Sequence, residues 1–202
     1  ALHTSESTVS WVLTAYLLSA SVSTPIVGRV GDMFGKEKLL LIALGFLCAG
    51  TLVAALASSI SVLIAARVIQ GIGGGIFPLA FGIIRDEFPQ ERVAGGIGFI
   101  SAILGIGGGL GVVLAGVIVD HMSYHYLFWF PLIGIFIATV MTYFFVPESP
   151  LKTPGKINWL AAVLMSLGIA ATLTAVSQGA QWGWGASKTI LLMLAGVALI
   201  AA

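Results

Sequence analysis

Apolar runs of bilayer length recur along this chain, and no other feature restricts its fold so severely. A helix crossing the hydrocarbon core of a membrane needs about 20 mostly apolar residues. Runs of that kind occupy Trp11–Val27, Leu39–Ala57, Val62–Ile84, Ala94–Val119, Tyr126–Val146 and Asn158–Ser177, with a shorter one at Lys188–Ala202. They are too long for strands and lack the alternation of a transmembrane barrel, in which each strand reads as about 10 alternating residues. Only 8% of the residues are charged, against 58% hydrophobic. A soluble domain carries roughly a quarter charged residues, so most of this surface must face lipid or other apolar segments. The predicted class is all-α: a polytopic transmembrane helical bundle.

The connections between the runs alternate in charge. Gly28–Lys38 carries Arg29, Lys36 and Lys38; Arg85–Val93 carries Arg85 and Arg92; Pro147–Ile157 carries Lys152 and Lys156. The intervening segments Ser58–Ser61, Asp120–His125 and Gln178–Ser187 hold no Lys or Arg. By the positive-inside rule the basic loops are expected in the cytoplasm and the N-terminal end of the chain outside. Prolines at 147, 150 and 154 break helices and stiffen linkers, which predicts a joint between two groups of helices.

Several function classes drop out early. A net charge of +1 makes no case for nucleic acid. Cys48 lies in an apolar run and reads as an inert packed thiol. No cofactor is called for. His121 and His125 share a helical spacing, but with only Asp120 nearby they do not make a metal site, and none is assigned. Trp182, Trp184, Tyr124, Tyr126 and Trp129 read as interfacial anchors. His3 and Glu6 read as a solvated end. The chain opens on Ala1 without a basic n-region and stops at Ala202 inside an apolar run. Both ends read as cut, so a piece of a longer polypeptide is expected.

Three constellations carry the functional expectation. In Gly28-Arg-Val-Gly-Asp-Met-Phe-Gly-Lys-Glu-Lys38, glycines permit a tight turn. Asp32 there has Arg29 three residues before it and Lys36 four after, a pairing that can serve as a latch between packing states. Arg67 lies about five residues inside its span. An intramembrane Arg is costly unless paired or wetted, so it either snorkels to the near interface or serves a function. Gln70 follows one helical turn later, and Pro78 can kink the same helix. The third is Gly105-Ile-Gly-Gly-Gly-Leu-Gly111-Val-Val-Leu-Ala-Gly116, a run suited to close packing and bending. Its spacing does not make a nucleotide site, because no strand precedes it.

These stretches resemble the signatures of the major facilitator superfamily. The first is similar to that family's motif A, Gly-x-Leu-x-Asp-Arg-x-Gly-Arg-Lys. Gly28, Asp32, Gly35 and Lys36 match, Val30 stands for Leu, and Met33 replaces the Arg. The resemblance implies that Asp32 contacts the opposite half of the transporter and stabilises its outward-facing state, with Arg29 the substitute partner. Leu63-x-x-x-Arg67-x-x-Gln70-Gly71-x-Gly73-Gly74-Gly75 resembles motif B, which implies a role for Arg67 in proton coupling. Gly107, Gly111 and Gly116 match motif C, the antiporter signature, although Val112 replaces its Pro and Ala115 a Gly. Trp11-Val-Leu-Thr-Ala-Tyr16, Phe88-Pro89-x-x-Arg92, Phe145-Val-Pro-Glu-Ser149 and Gln178-Gly-Ala-Gln-Trp-Gly-Trp-Gly185 resemble the 14-helix drug/proton antiporter branch (DHA2).

The implied organisation is residues 1–146 as family helices 2–6 of the N-terminal six-helix bundle, 147–157 as a cytoplasmic linker, and 158–202 as two inserted helices, 7 and 8. The implied protein is a proton-coupled, alternating-access exporter of drug-like or metabolite molecules in the plasma membrane, completed by the remaining half of the same polypeptide. Tyr16 and Phe77 are its candidate cavity residues. An enzyme is not expected, since the spans bring together no nucleophile, base or metal ligands. The altered motif C leaves a non-antiport facilitator or a degenerate membrane scaffold as the other reading. All the carboxylates sit at span ends or in loops, so a coupling acid is expected outside this chain.

Overall fold

The structure is a computed structural model and describes residues 6–149 and 159–201. Its elements are α1 (Glu6–Phe34), α2 (Lys36–Ala55), α3 (Ile60–Ile72), a 3-10 turn at Gly73–Gly75, α4 (Ile76–Glu87), α5 (Gln90–His121), α6 (Tyr126–Phe145), α7 (Trp159–Trp182) and α8 (Ser187–Ala201). Among the described residues, six spans are long and apolar enough to cross a membrane, with α3, the turn and α4 counting as one; α8 is a shorter apolar helix.

The helices overrun the apolar runs. Gly28, Arg29 and Asp32 lie on α1, and Arg92 lies on α5, where loops are expected from hydropathy. Hydropathy marks only the part of a helix matched to lipid; polar side chains continue the same backbone ladder into the interface. The turn between α1 and α2 reduces to Gly35, whose φ of 124° a side-chain-bearing residue rarely adopts. The α4–α5 connection shrinks to Phe88 and Pro89. The proline joint falls largely on residues 150–157, outside the described residues.

The α3–α4 span is interrupted at its glycines. Pro78 lacks the N–H that would bond back to Gly74, so the α-ladder opens just before it. The same glycines seat the span: a Cβ on Gly71 would fall 2.7 Å from the Tyr16 carbonyl oxygen, and one on Gly74 2.9 Å from the Ala20 Cα. Apolar surface alone gives helices no reason to associate in lipid, and close backbone approach supplies dispersion contact instead.

Two buried clusters hold α2 at the centre. One joins Ala54, Ala55, Ala57, Leu63, Ala66 and Phe128; the other joins Leu40, Leu44, Leu79 and Ile83. Hydroxyls inside the helices bond back one turn, as Thr24 does to Ala20 O (2.6 Å) and Thr139 to Ile135 O (2.8 Å). At the end away from the basic residues, the Tyr124 hydroxyl donates to Ala57 O (2.6 Å) and a His125 ring nitrogen lies 3.2 Å from the same oxygen. Tyr124 is thus a tertiary tie between the α5–α6 turn and the end of α2, and not simply an interfacial anchor. Trp182 lies under Lys188 Nζ at 4.3 Å from its ring centroid.

Helix α5 contains no buried residue, and among the helices it touches only α4 and α6. Gly107, Gly111 and Gly116 meet nothing within 4 Å of an added Cβ, and the helix runs unbroken from Gln90 to His121. The glycine run thus lies within one continuous helix, with Val112 at the position of the pattern's Pro.

Candidate functional site

Arg67 faces the protein. Ser59 caps α3, its side chain accepting from Val62 N, and Arg67 follows two turns inside. Its Cζ lies 5.2 Å from the Phe128 ring centroid and 5.8 Å from that of Tyr16, so two rings bracket the guanidinium and offer it their negative faces. Nη1 donates to Gln70 Oε1 at 3.2 Å, while Nε is buried without a partner. Gln70, one helical turn on, thus shares the face of Arg67 and bonds to it, and Tyr16 joins them. No carboxylate among the described residues lies within ion-pair distance of Arg67.

The polar string continues into α2. Gln70 Nε2 donates to Thr51 Oγ1 (2.8 Å), and the Thr51 hydroxyl donates to Leu47 O (2.6 Å). Thr51 is missed by reading the sequence, because a lone threonine in an apolar run reads as a back-bonded hydroxyl and nothing more. Phe128 is missed as well, because it lies 61 positions away from Arg67 on a different span.

Beside this string, α1 and α3 form a groove of about 460 Å³ lined by Trp11, Ala15, Ser19, Val22, Ile64 and Val68 among others. Tyr16 turns instead toward Arg67, and Phe77, 41% exposed on α4, does not line this groove.

At the basic end, Lys36 Nζ bridges Asp32 Oδ1 (3.1 Å) and Asp86 Oδ2 (2.6 Å), and the Ser149 hydroxyl donates to Asp86 Oδ2 (2.8 Å). Lys36 is 4% exposed. Its salt bridges tie the tips of α1, α2 and α4 together, and the Ser149 hydrogen bond to Asp86 adds the segment after α6. The cation paired with Asp32 is Lys36; Arg29, the substitute expected from the resemblance, is not within ion-pair distance of it. The geometry favours Lys36 because it opens α2 directly across the Gly35 turn, one helical turn along from Asp32. Of the other expected residues, Gly28 sits against Pro78, and Gly35 lies under the Glu148 carboxylate, whose Oε1 would meet an added Cβ.

A bundle of bilayer-length helices, with polar groups drawn inward and most basic groups gathered at one end, is an integral, multi-pass membrane protein. A sequence profile described as Major Facilitator Superfamily matches residues 1–202. This chain belongs to that superfamily, a family of transporters and not of enzymes. It is 30% identical over 197 residues to the Lincomycin resistance protein LmrB of Listeria monocytogenes, covering 96% of this chain and 42% of that protein. It is 31% identical over 190 residues to Multidrug resistance protein 3 of Bacillus subtilis, covering 92% and 36% respectively. The chain thus spans less than half the length of these curated relatives. In fold it is similar to the human organic anion transporter MFSD10 (TETRAN), with a TM-score of 0.58 at 18% identity over 93% of this chain and 54% of that one.

Proposed function

We propose that this chain is the larger part of one half of a secondary transporter that exports drug-like or metabolite small molecules across the plasma membrane by alternating access. Arg67 carries the reading. A guanidinium held at membrane depth between two rings and an amide, with no carboxylate beside it among the described residues, is costly to keep unless a negative charge visits it. A carboxylate elsewhere in the complete transporter, or an anionic group on the substrate, is that visitor, and proton binding to such a carboxylate gives coupling. Efflux is supported by two relatives whose names refer to drug resistance.

In this reading residues 1–146 supply family helices 2–6, the stretch 147–157 is the cytoplasmic linker, and α7 and α8 are the inserted helices. The Asp32–Lys36–Asp86 cluster, with Gly28, Arg29 and Gly35 around it, belongs to the cytoplasmic gate, and the basic ends face the cytoplasm. A second reading, a facilitator without antiport, draws on one observation: α5 carries Val112 where the antiporter pattern has Pro, and its helix is unbroken through the glycines at 107, 111 and 116.

The test is transport in proteoliposomes of the complete protein under an imposed pH gradient, across a panel that includes lincomycin. Arg67→Ala is expected to abolish gradient-driven export while leaving membrane insertion intact; export at the wild-type rate overturns the role given to Arg67. Gradient-independent but saturable transport by the wild type supports the facilitator.

A further inference from the structure

The hydrogen-bond polarity between α2 and α3 fixes which end of the Gln70 amide faces Arg67. The Thr51 hydroxyl has one proton, and it is committed to Leu47 O at 2.6 Å. The Thr51 oxygen is left able only to accept, and Gln70 Nε2 donates to it at 2.8 Å. With its nitrogen end held, the amide must turn Oε1 toward Arg67 Nη1, at 3.2 Å. Flipping the amide would set NH2 against the guanidinium, donor against donor, and would place two acceptors face to face at Thr51.

The seat around this string is closed. Thr51 is 1% exposed and Gln70 5%, so water does not substitute for either partner. Gly50, next to Thr51, makes the approach possible: a Cβ there would lie 2.6 Å from Gln70 N and 2.9 Å from Ala66 O. Backbone atoms cannot yield as a flexible side chain can.

We propose that Thr51 is a positioning residue: by accepting from Gln70 it orients that amide to receive Arg67 and holds the guanidinium between Tyr16 and Phe128. The inference rests on the proposed role of Arg67 for its functional meaning, but its geometry is testable without transport. The experiment is modification of the detergent-purified, complete protein by phenylglyoxal, with Arg67 and Arg85 read out by peptide mass spectrometry. Arg85, whose side chain is 67% exposed, is the internal control.

Thr51→Val keeps the shape and removes the hydroxyl. It is expected to speed modification of Arg67 on the order of tenfold, the scale of one lost hydrogen bond to a charged group. Thr51→Ser is expected to hold the wild-type rate, and Arg85 to be unaffected in both. In a Gln70→Leu background Thr51→Val should add nothing, because the two act in series. If Thr51→Val does not insert, Thr51→Ala is read in its place. Wild-type modification rates in the hydroxyl-free variant, an accelerated Ser variant, or independent effects of Thr51 and Gln70 each overturn the proposal. If the modification pattern is as expected but Arg67→Ala exports normally, the positioning stands and the transport role of Arg67 falls.

Discussion

Lys36 Nζ lies 2.6 Å from Asp86 Oδ2 and 3.1 Å from Asp32 Oδ1, so one ammonium on the first turn of α2 joins the ends of α1 and α4. The lysine and Asp86 side chains are each 5% exposed, whereas that of Asp32 is 35% exposed. The two carboxylates are therefore not equivalent. Asp86 is the enclosed partner and Asp32 the one left reachable by another part of the protein.

That asymmetry makes a prediction about stability. Removing one member of an enclosed pair leaves the other charge uncompensated, which costs about 3–5 kcal/mol where burial is complete. Lys36→Met and Asp86→Asn should each lower the thermal midpoint of the detergent-purified protein clearly. Asp32→Asn should lower it much less. The double variant Lys36→Met/Asp86→Asn should be less destabilised than the sum of its singles. Additive losses in a dye-reported thermal scan would show that the two side chains do not act as a pair.

Gly35 makes the second prediction. Its φ of 124° lies where a side chain is strained by on the order of 1–3 kcal/mol. An added Cβ also meets the Glu148 carboxylate. Gly35→Ala should destabilise, and Glu148→Ala in the same chain should recover only part of the loss, because it removes the clash and not the backbone strain. Full recovery in the double variant would assign the whole effect to the contact.

How far this was legible from the sequence differs between the two ends of the molecule. The spans were, because lipid leaves helices no alternative and hydropathy reports lipid directly. The Asp32–Lys36 pairing was legible as a short sequence separation, although the two side chains meet across the Gly35 turn between α1 and α2 and not along one helix. Asp86 and Ser149 were not: they lie 50 and 63 positions away from their partners, and only tertiary packing brings them together. Thr51 was hidden for a different reason. Its hydroxyl does make the expected back-bond to Leu47, and its second role uses the lone pair that the back-bond leaves over. At the α5 glycines, composition suggested close packing, but a small residue only permits contact; a partner surface must also be present.

Two glycines on α2 separate these effects within one helix. An added Cβ on Gly45 meets nothing within 4 Å, whereas one on Gly50 meets the α3 backbone at 2.6 Å. Gly45→Ala should therefore stabilise slightly, by up to about 1 kcal/mol of helix propensity. Gly50→Ala should destabilise by about 1–3 kcal/mol through overpacking and should speed phenylglyoxal modification of Arg67 by pushing α3 away. Equal thermal midpoints for the two alanine variants would refute the close α2–α3 approach.

The last prediction concerns how the α7–α8 pair is fastened to the rest. Helix α7 packs on α1 through polar groups: Thr14 Oγ1 and Ser177 Oγ are hydrogen-bonded, and Gln181 Nε2 donates to Ser10 Oγ at 3.1 Å. Thr14 is 2% exposed, so its bond to Ser177 is enclosed, whereas the Gln181–Ser10 bond lies at an exposed end. Apolar faces slide past one another in a bilayer at little cost, whereas enclosed hydroxyls and amides that separate there lose partners that lipid cannot replace. Helix α7 should therefore stay with α1. In a Cys48→Ala background, Thr14→Cys/Ser177→Cys should form a disulfide on mild oxidation in native membranes. Thr14→Cys/Val176→Cys, which points the second thiol from a 47%-exposed position, should not. Blocked alkylation of both thiols, read by a mass-tagged maleimide, reports the bond. Cross-linking of the Val176 pair with none at Ser177 would mean that α7 presents a different face to α1.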